Sequence, residues 1–275
     1  MIKIDGRKIA QDIISELKSR SVPEKFFAVF VVGNNPAILS FVRQKESVAK
    51  ELGIDFRIYK FEENLSNDQF KEKISQVVLS KQCGAAVLQL PLPAHINFQY
   101  VMNVIPPEKD VDVLSERSLG GFYSGRLNIF PPAVSVIAEI LRYKNITIDS
   151  SLKFAVVGQG VLVGKPIATW LSGKTSQTII LDKGSDLAAL KEADIAILGT
   201  GQSGIIKAPM LKKNSGVIDF GYGLNPRGKV SGDFDESSLS QTGENYLSFY
   251  TPTPGGTGPI LVACLFRNFY DLNQK

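Results

Sequence analysis

The sequence predicts a two-domain α/β protein, and three observations support this fold class. Short apolar runs of strand length alternate with helical segments along most of the chain, which is typical of parallel sheets with helices packed on them. A length of 275 residues with 44% hydrophobic content allows a sizeable core and favours two domains over one. A polar segment, residues 145–151, separates two such alternating series and marks the expected boundary.

The first series of elements precedes this boundary. Apolar residues at helical spacing predict helices near residues 12–17, 37–52, 70–79 and 133–143, and buried apolar runs predict strands near 26–32, 54–59 and 84–89. Residues 105–130 have little periodicity, so we interpret them as a long loop. Loops of this length in compact enzymes more often carry functional residues than serve only as connections.

The second series predicts a Rossmann-like domain. Strands are expected near 153–157, 178–181, 195–198 and 216–220, joined by short helical connections. Gly158, Gly160 and Gly164 follow the first of these strands and lead into a helix. Such glycines let the backbone approach a pyrophosphate, which the N-terminus of the helix can bind. By itself the pattern fits a nucleotide site and a ligand-free turn about equally well.

Composition excludes several classes of function. The 31 basic and 27 acidic residues give a net charge of +4 without a dense basic run, so we expect no nucleic-acid partner. Cys83 and Cys264 are the two cysteines and are expected to be reduced core thiols, and a single histidine, His95, argues against a metal centre. The N-terminus turns polar early and no apolar run approaches a membrane span, so a cytoplasmic protein without membrane contact is expected.

Several polar residues have no obvious packing purpose and are candidates for a functional site. Lys45 lies within a predicted helix, Gln89 ends a predicted strand, and Asp112 lies in the long loop. Other unusual segments are Ile4-Asp-Gly6, Leu90-Pro-Leu-Pro93, Pro107-Glu-Lys-Asp-Val-Asp112, Val163-Gly-Lys-Pro166, Gly232-Asp233 and Thr251-Pro-Thr-Pro-Gly-Gly-Thr-Gly-Pro259. In order and spacing, these pieces resemble the bifunctional methylenetetrahydrofolate dehydrogenase/methenyltetrahydrofolate cyclohydrolase family over the whole chain.

The resemblance implies an architecture and a pair of reactions. It implies a folate-binding catalytic domain at 1–145, completed by a returning C-terminal helix at 259–275, and a nicotinamide-binding domain at 146–258, with the active site in a cleft between them. It further implies a homodimer that acts on tetrahydrofolate derivatives without a metal. Oxidation of 5,10-methylenetetrahydrofolate would be followed by hydrolysis of the methenyl product to 10-formyltetrahydrofolate.

Residue roles follow from the same resemblance. Lys45 matches the lysine of the cyclohydrolase step, Gln89 the amide that hydrogen-bonds this lysine, and Asp112 the carboxylate that accepts hydrogen bonds from the pterin. Without the surrounding motif, Lys45 would be interpreted as a solvated helix lysine. The implied substrate-binding residues are Phe41, Lys45, Gln89, Asp112, Pro254, Gly255 and Gly256. The implied cofactor-binding residues are Gly158, Gln159, Gly160, Val163, Gly164, Asp182, Lys183, Thr200 and Gly201.

Three departures from the family pattern surround the implied catalytic lysine. Phe41 stands where the family has a tyrosine, Val113 replaces the glycine after the second aspartate, and Pro132-Ala-Val134 replaces a Cys-Thr-Pro run. A phenyl ring can still stack on folate, but the hydroxyl that supports the lysine is missing. We therefore expect a weakened or retuned cyclohydrolase step beside a retained dehydrogenase step.

The cofactor turn also departs from the pattern. The family commonly has Gly-Arg-Ser here, whereas this chain has Gly158-Gln-Gly160, and Asp182 ends the next predicted strand before Lys183. An acidic residue at this position commonly binds a ribose 2′-hydroxyl and repels a 2′-phosphate, which favours NAD over NADP. Two alternatives stay open: a catalytically silent folate- or nucleotide-binding protein, and a dinucleotide-dependent dehydrogenase of another small substrate.

Overall fold

The computed structural model of the protein describes residues 2–225, 228–243 and 245–274. The chain divides into two compact units. Gln11–Pro132 with Val262–Lys275 is the N-terminal unit, and Met1–Ala10 with Ala133–Leu261 is the central unit. The two-domain α/β fold class is thereby confirmed, while the domain bounds at 145/146 and 258/259 stay a prediction.

The elements are as follows. The helices are α1 (Gly6–Lys18), α2 (Pro36–Leu52), α3 (Asn67–Val78), α4 (Phe98–Met102), α5 (Glu116–Tyr123), α6 (Pro132–Tyr143), α7 (Gly164–Leu171) and α8 (Thr257–Asn273). The strands are β1 (Ile2–Lys3), β2 (Phe26–Val32), β3 (Phe56–Phe61), β4 (Cys83–Leu88), β5 (Lys153–Val157), β6 (Gln177–Leu181), β7 (Ile195–Leu198), β8 (Ile206–Lys207), β9 (Gly216–Asp219), β10 (Gly223–Leu224), β11 (Val230–Ser231), β12 (Phe234–Asp235) and β13 (Phe249–Tyr250). Short 3₁₀ helices occupy Pro107–Lys109, Leu187–Glu192, Ala208–Met210 and Glu236–Gln241.

The N-terminal unit is built on a parallel sheet in the strand order β3-β2-β4. Every residue of β2 and β4 is buried, as expected for parallel strands that are covered on both faces. Helix α3 packs Phe70, Ile74 and Val78 into this core and begins at Ser66, whose hydroxyl accepts the amide N–H of Gln69. The sheet directs residues that follow β4, such as Gln89, to its carboxyl edge.

The central unit is built on a larger parallel sheet in the order β1-β13-β9-β7-β5-β6. Strand β5 lies between β6 and β7, which reproduces the start of a doubly wound sheet and confirms the Rossmann-like prediction. The loops after β5, β6, β7 and β9 therefore emerge at one edge, where such sheets bind ligands.

Several elements differ from the sequence prediction for identifiable reasons. Helix α5 lies within the predicted loop 105–130; its glycines, Gly120 and Gly121, weaken the helical signal, while Ser115 caps it by accepting the N–H of Ser118. Strands β1 and β13 have two residues each, which is too short for a periodicity to appear. Strand β3 begins at Phe56, two residues after the predicted start.

Candidate functional site

Lys45 is a buried lysine on helix α2. It retains 7% of its exposure, and its Nζ donates a hydrogen bond to Oε1 of Gln89 at 2.8 Å. Gln89 directly follows β4, and its Nε2 donates to the carbonyl oxygen of Leu90 at 3.2 Å. Because both ends of the amide are engaged, Gln89 presents an acceptor to the amine in a fixed orientation. The structure thus brings together the first two residues of the expected catalytic group.

Asp112 interacts electrostatically with Lys45 from the loop after the first 3₁₀ helix. Burial lowers the pKa of Lys45, and the negative charge of Asp112 opposes that shift. Burial raises the pKa of Asp112 to about 6, against the lowering effect of the Lys45 charge and with a small further rise from Asp110. An amine whose pKa is lowered by burial, beside a carboxyl group whose pKa is raised by burial, suits proton transfer.

The turn that presents Asp112 is fixed by its neighbours. The carboxylate of Asp110 accepts the N–H groups of Leu114 and Ser115, at 3.0 and 2.8 Å, so Asp110 forms the turn as the sequence predicts. Val113 lies in the left-handed region with φ 58° and is fully buried. That region disfavours a β-branched residue, and the family glycine at this position would enter it without strain.

Phe41 lies one helical turn before Lys45 on the same face of α2, where it is partly buried. The position is therefore suitable for stacking on a ligand near the amine. Its phenyl ring has no hydroxyl group to donate to the lysine or to its partners.

The glycine turn after β5 brings backbone segments of the central unit into close contact. A Cβ atom on Gly164 would lie 1.8 Å from the carbonyl oxygen of Gly158, and one on Gly158, whose φ is 89°, would lie 2.6 Å from that of Gly199. A Cβ on Gly199 would in turn lie 2.8 Å from Cγ1 of Val163. Helix α7 begins at Gly164, so a narrow backbone cradle stands at a helix N-terminus, as a pyrophosphate requires. A Cβ on Gly160 would meet open space.

Asp182 and Lys183 are exposed directly after β6, beside this cradle. The N–H of Gly158 donates to the carbonyl oxygen of Leu181 at 2.8 Å, which places Asp182 next to the turn. The N–H of Asp182 donates to the hydroxyl of Ser185 at 3.0 Å and holds the loop. Gln159 turns back on its own loop, because its Nε2 donates to the carbonyl oxygens of Val156 and Gly158.

The turn after β7 carries Thr200 and Gly201, and here the structure adds two residues to the expected set. The N–H of Thr200 donates to Oδ2 of Asp233 at 2.5 Å, and Gly201 takes φ 70°. Asp219, at the end of β9, accepts further backbone N–H groups near Asp233. Sequence reasoning quoted Asp233 without a role and missed Asp219, although an aspartate ending a buried strand is the same signal that selected Gln89.

The loop with Pro254, Gly255 and Gly256 belongs to the central unit. The carbonyl oxygen of Gly255 accepts the N–H of Gly6 at 3.0 Å, and a Cβ on Gly6 would lie 1.7 Å from the carbonyl oxygen of Gly256. Close packing of the protein on itself therefore accounts for part of this glycine string. The structure groups these residues in a different unit from Lys45, Gln89 and Asp112.

Among residues 2–225, 228–243 and 245–274, no group of three or more histidine, cysteine, aspartate or glutamate residues is placed to hold a metal ion. In that same part of the chain, no helix is long and apolar enough to cross a membrane.

Comparison with known proteins covers both units. The model of the tetrahydrofolate dehydrogenase/cyclohydrolase catalytic domain matches residues 4–112, and the model of the NAD(P)-binding domain of the same family matches residues 131–275. The bifunctional protein FolD of Bacillus licheniformis is 33% identical over 274 residues, which are 96% of this chain and 94% of that protein.

Solved structures agree with this assignment. The bifunctional FolD methylenetetrahydrofolate dehydrogenase/cyclohydrolase of Campylobacter jejuni has a TM-score of 0.90 at 27% identity, covering 98% of this chain and 97% of its own. The Trypanosoma brucei enzyme, complexed with NADP cofactor and inhibitor, has a TM-score of 0.90 at 26% identity, with 99% and 97% coverage. The predicted resemblance is confirmed, and the chain belongs to the tetrahydrofolate dehydrogenase/cyclohydrolase family.

Proposed function

We propose that this protein oxidises 5,10-methylenetetrahydrofolate to 5,10-methenyltetrahydrofolate and hydrolyses the product to 10-formyltetrahydrofolate at a reduced rate. The observation that carries the proposal is the buried amine of Lys45, held by Gln89 and facing the charge of Asp112. A solvated surface lysine would have neither this burial nor a lowered pKa. The alternative of a catalytically silent binding protein does not account for this arrangement.

The backbone cradle fits a dinucleotide. Gly158, Gly164 and Gly199 leave no room for a Cβ, so the chain approaches itself closely and presents the N-terminus of α7 to a pyrophosphate. Thr200 and Gly201 line the neighbouring turn. When bound, the nicotinamide supplies the acceptor of the hydride that leaves the one-carbon bridge of the substrate. The protein contributes positioning to this step, because the folate nitrogens delocalise the resulting positive charge.

The hydrolytic step needs a proton acceptor, and we assign that role to Lys45. Water adds to the methenyl carbon and transfers a proton to the unprotonated form of the amine, which burial favours by lowering the pKa of Lys45. The bond from the carbon to one ring nitrogen then breaks as the formyl carbonyl forms. One proton goes to the released nitrogen, and the proton on Lys45 returns to solvent. Gln89 keeps the amine oriented throughout.

Folate recognition is proposed for Asp112 and Phe41, with a contribution from Pro254, Gly255 and Gly256. A carboxyl group with a pKa of about 6 is mostly ionised at pH 7, so Asp112 can accept paired N–H donors of a pterin ring. Phe41 supplies an apolar face for the aromatic part of the substrate.

We further propose that the cofactor is NAD. The carboxylate of Asp182 stands exposed beside the cradle, where it can accept a ribose hydroxyl and would repel a 2′-phosphate. The family arginine in this turn is replaced by Gln159, whose amide is engaged with its own loop. Lys183 is the neighbouring group that would favour NADP. Titrating the protein with NADH and with NADPH tests this proposal, and tighter binding of NADPH would refute it.

The reduced rate of hydrolysis is attributed to Phe41. Restoring a hydroxyl with Phe41→Tyr is expected to raise methenyl hydrolysis while leaving hydride transfer within about twofold, since that step needs no proton transfer. The matched control is Phe56→Tyr, a partly buried phenylalanine on β3. If hydrolysis by the wild type already equals its oxidation rate and Phe41→Tyr changes neither, the attribution is wrong.

The assay for the whole proposal follows both steps on one sample. Purified protein is given methylenetetrahydrofolate and NAD, and the reduced cofactor, the methenyl product and the formyl product are quantified together. The proposal requires the amount of reduced cofactor to equal the sum of methenyl and formyl products, with formyl product accumulating more slowly than methenyl product. Absence of reduced cofactor with NAD and NADP alike would support a silent binding protein.

The resemblance also supports two structural proposals. We propose a homodimer and functional domains at 1–145 with 259–275 and at 146–258. Light scattering at several protein concentrations tests the first, and a monomer at assay concentration would refute it. Separate expression of residues 146–258 tests the second through NADH binding.

A further inference from the structure

Asp219 is a buried aspartate whose side chain collects backbone N–H groups from the segments after β9. Its Oδ1 accepts the N–H of Gly221 at 2.7 Å and that of Asp233 at 3.3 Å, and its Oδ2 accepts the N–H of Phe234 at 2.9 Å. The carboxylate therefore fixes the chain entering β12 against the end of β9. Aspartate suits this role because both oxygens accept and neither donates when it is ionised.

The main chain of Asp219 holds the loop 251–257 as well. Its N–H donates to Oγ1 of Thr251 at 2.7 Å, and its carbonyl oxygen accepts the hydroxyl of Thr257 at 2.8 Å. Both ends of the loop that carries Pro254, Gly255 and Gly256 are thereby connected to one residue.

Asp233 extends this set of contacts to the turn after β7. Its Oδ2 accepts the N–H of Thr200, the first residue after Gly199. The same turn lies directly against the cofactor cradle, because a Cβ on Gly158 would be 2.6 Å from the carbonyl oxygen of Gly199 and 3.1 Å from Cα of Thr200. The carboxylate of Asp233 thus supports the side of the cradle that faces away from β6.

The surroundings of Asp233 are shaped to admit a carboxylate. A Cβ on Gly221 would lie 2.3 Å from Oδ1 of Asp233, and one on Gly232 would lie 2.1 Å from Oδ2 of Asp219. Oδ1 of Asp233 is buried and, within the described part of the chain, has no hydrogen-bond partner. Burial raises the pKa of Asp219 to about 7, a value in which the raising effect of the Asp233 charge and the lowering effect of the backbone hydrogen bonds are both included. Such an arrangement costs stability, which indicates a role other than packing.

We propose that Asp233 is a positioning residue for the dinucleotide: its carboxylate holds the turn 199–202 in the conformation that the cofactor needs, and Asp219 holds Asp233 in place. This inference rests on the proposed function. It assigns a cofactor-directed role to Asp233, which lies outside the glycine cradle itself.

The role has a specific kinetic consequence. If the turn 199–202 is already ordered in the free protein, no binding free energy is spent on ordering it. Without the carboxylate of Asp233, only a fraction of the molecules has the turn in the conformation that binds the cofactor, and the apparent affinity for the cofactor is reduced in proportion to that fraction. Asp233→Ala leaves the N–H of Thr200 without its acceptor, so the cofactor KM is expected to rise about 10-fold or more. The kcat at saturating cofactor stays within about twofold, because the occupied site regains the same geometry.

Rescue by a matched variant separates this role from general packing. Asp233→Asn keeps one oxygen for Thr200 and removes the unpaired carboxylate oxygen, so its cofactor KM is expected within about threefold of the wild type. Asp235→Asn, two residues further along the chain in β12, is the control for loss of a negative charge and is expected to leave the cofactor KM unchanged.

The experiment measures the KM of NAD, the KM of methylenetetrahydrofolate and kcat for the wild type and these variants. A rise confined to the cofactor KM in Asp233→Ala, with rescue in Asp233→Asn, supports the proposal. Equal values in Asp233→Ala and the wild type, or a fall in kcat with unchanged cofactor KM, overturns it. A wild type that reduces neither cofactor refutes the proposed function and is distinguishable from both results.

A measurement on the wild type keeps the proposal testable if Asp233→Ala does not fold. Amide hydrogen exchange without cofactor is expected to be slow at Thr200, since its N–H is bound before any ligand arrives. Exchange at the rate of an unprotected amide, slowing only when NADH is added, would overturn the claim of a preformed turn.

Discussion

Replacing Lys45 by methionine is the perturbation that separates the two proposed reactions most clearly. Methionine has nearly the length of the lysine stem, so Lys45→Met removes the amine and leaves the packing of α2 largely intact. Hydrolysis of the methenyl substrate is expected to fall by about 10²–10⁴-fold, the usual contribution of a general base. Oxidation of the methylene substrate is expected to stay within about 10-fold, because hydride transfer uses positioning alone.

The same change has a predictable effect on stability. Oε1 of Gln89 loses its donor, and because Gln89 is only partly buried the cost is expected at the lower end of the about 1–3 kcal/mol typical of an unpaired buried acceptor. Asp112 loses the positive charge that lowers its pKa, so this pKa rises above about 6. Each unit of that rise corresponds to about 1.4 kcal/mol. Since Asp112 can accept a proton, the total loss stays below the cost of leaving a buried ion unpaired.

The pH dependence of this loss has a definite sign. The pKa of Asp112 in the folded protein already exceeds its ordinary value, so its contribution to stability decreases as pH rises through about 6. In Lys45→Met the folded pKa is higher still, and the decrease continues to higher pH. The difference in unfolding free energy between wild type and variant is therefore expected to widen from pH 5 to pH 8.

The assay combines urea unfolding at pH 5, 7 and 8 with separate rates for oxidation and hydrolysis. Lys50→Met is the matched control, because Lys50 is an exposed lysine on the same helix. Equal losses in both rates, or a stability difference that narrows as pH rises, would refute the roles given to Lys45 and Asp112.

Three further predictions follow from contacts in the structure. Asp182→Ser is expected to raise kcat/KM for NADP about 10-fold relative to NAD, since it removes a carboxylate that repels the 2′-phosphate; an unchanged ratio in initial-rate assays would contradict this. Gly164→Ala is expected to weaken NADH binding at least about 10-fold in a fluorescence titration, because its Cβ would lie 1.8 Å from the carbonyl oxygen of Gly158. Gly120→Ala is the control: a Cβ there meets open space on α5, so the variant is expected to gain about 0.5–1 kcal/mol in unfolding free energy. Lys109→Met is expected to cost about 1–3 kcal/mol in urea unfolding, because Lys109 donates to the carbonyl oxygens of Val78, the last residue of α3, and of Ser80. No loss would contradict this and would mean that water replaces both bonds.

Much of the fold was predictable because the alternation of apolar strands with helices is a local signal. Strands β2 and β4 and residues 154–157 of β5 are buried, continuous apolar runs, and their positions follow directly from the sequence. Helix α5 was not predictable by this route, because its stability depends on the cap at Ser115 and on tertiary contacts that outweigh two glycines.

Some residues of the candidate site could be predicted from the sequence, and the roles of others could not. Sequence pattern alone predicts that Lys45 is an ordinary solvated lysine on a helix. The resemblance to the family was needed to identify it as a candidate catalytic residue. Its lowered pKa comes from burial by residues distant in sequence, which no local pattern encodes. The roles of Asp219 and Asp233 could not be assigned for the same reason, since their partners are the backbone N–H groups of residues 200, 221 and 234. Sequence pattern identifies side chains at strand ends, but their hydrogen-bond partners appear in the folded chain.

The preference for NAD in methylenetetrahydrofolate oxidation is the central claim that one measurement tests most directly. The initial rate of reduced cofactor formation is measured on the wild-type protein with methylenetetrahydrofolate at saturation and with NAD or NADP varied. The predicted result is a higher kcat/KM for NAD, with methenyl and formyl products together equal in amount to the reduced cofactor. A higher kcat/KM for NADP would contradict the role of Asp182, and absence of reduced cofactor with both would contradict the proposed oxidation itself.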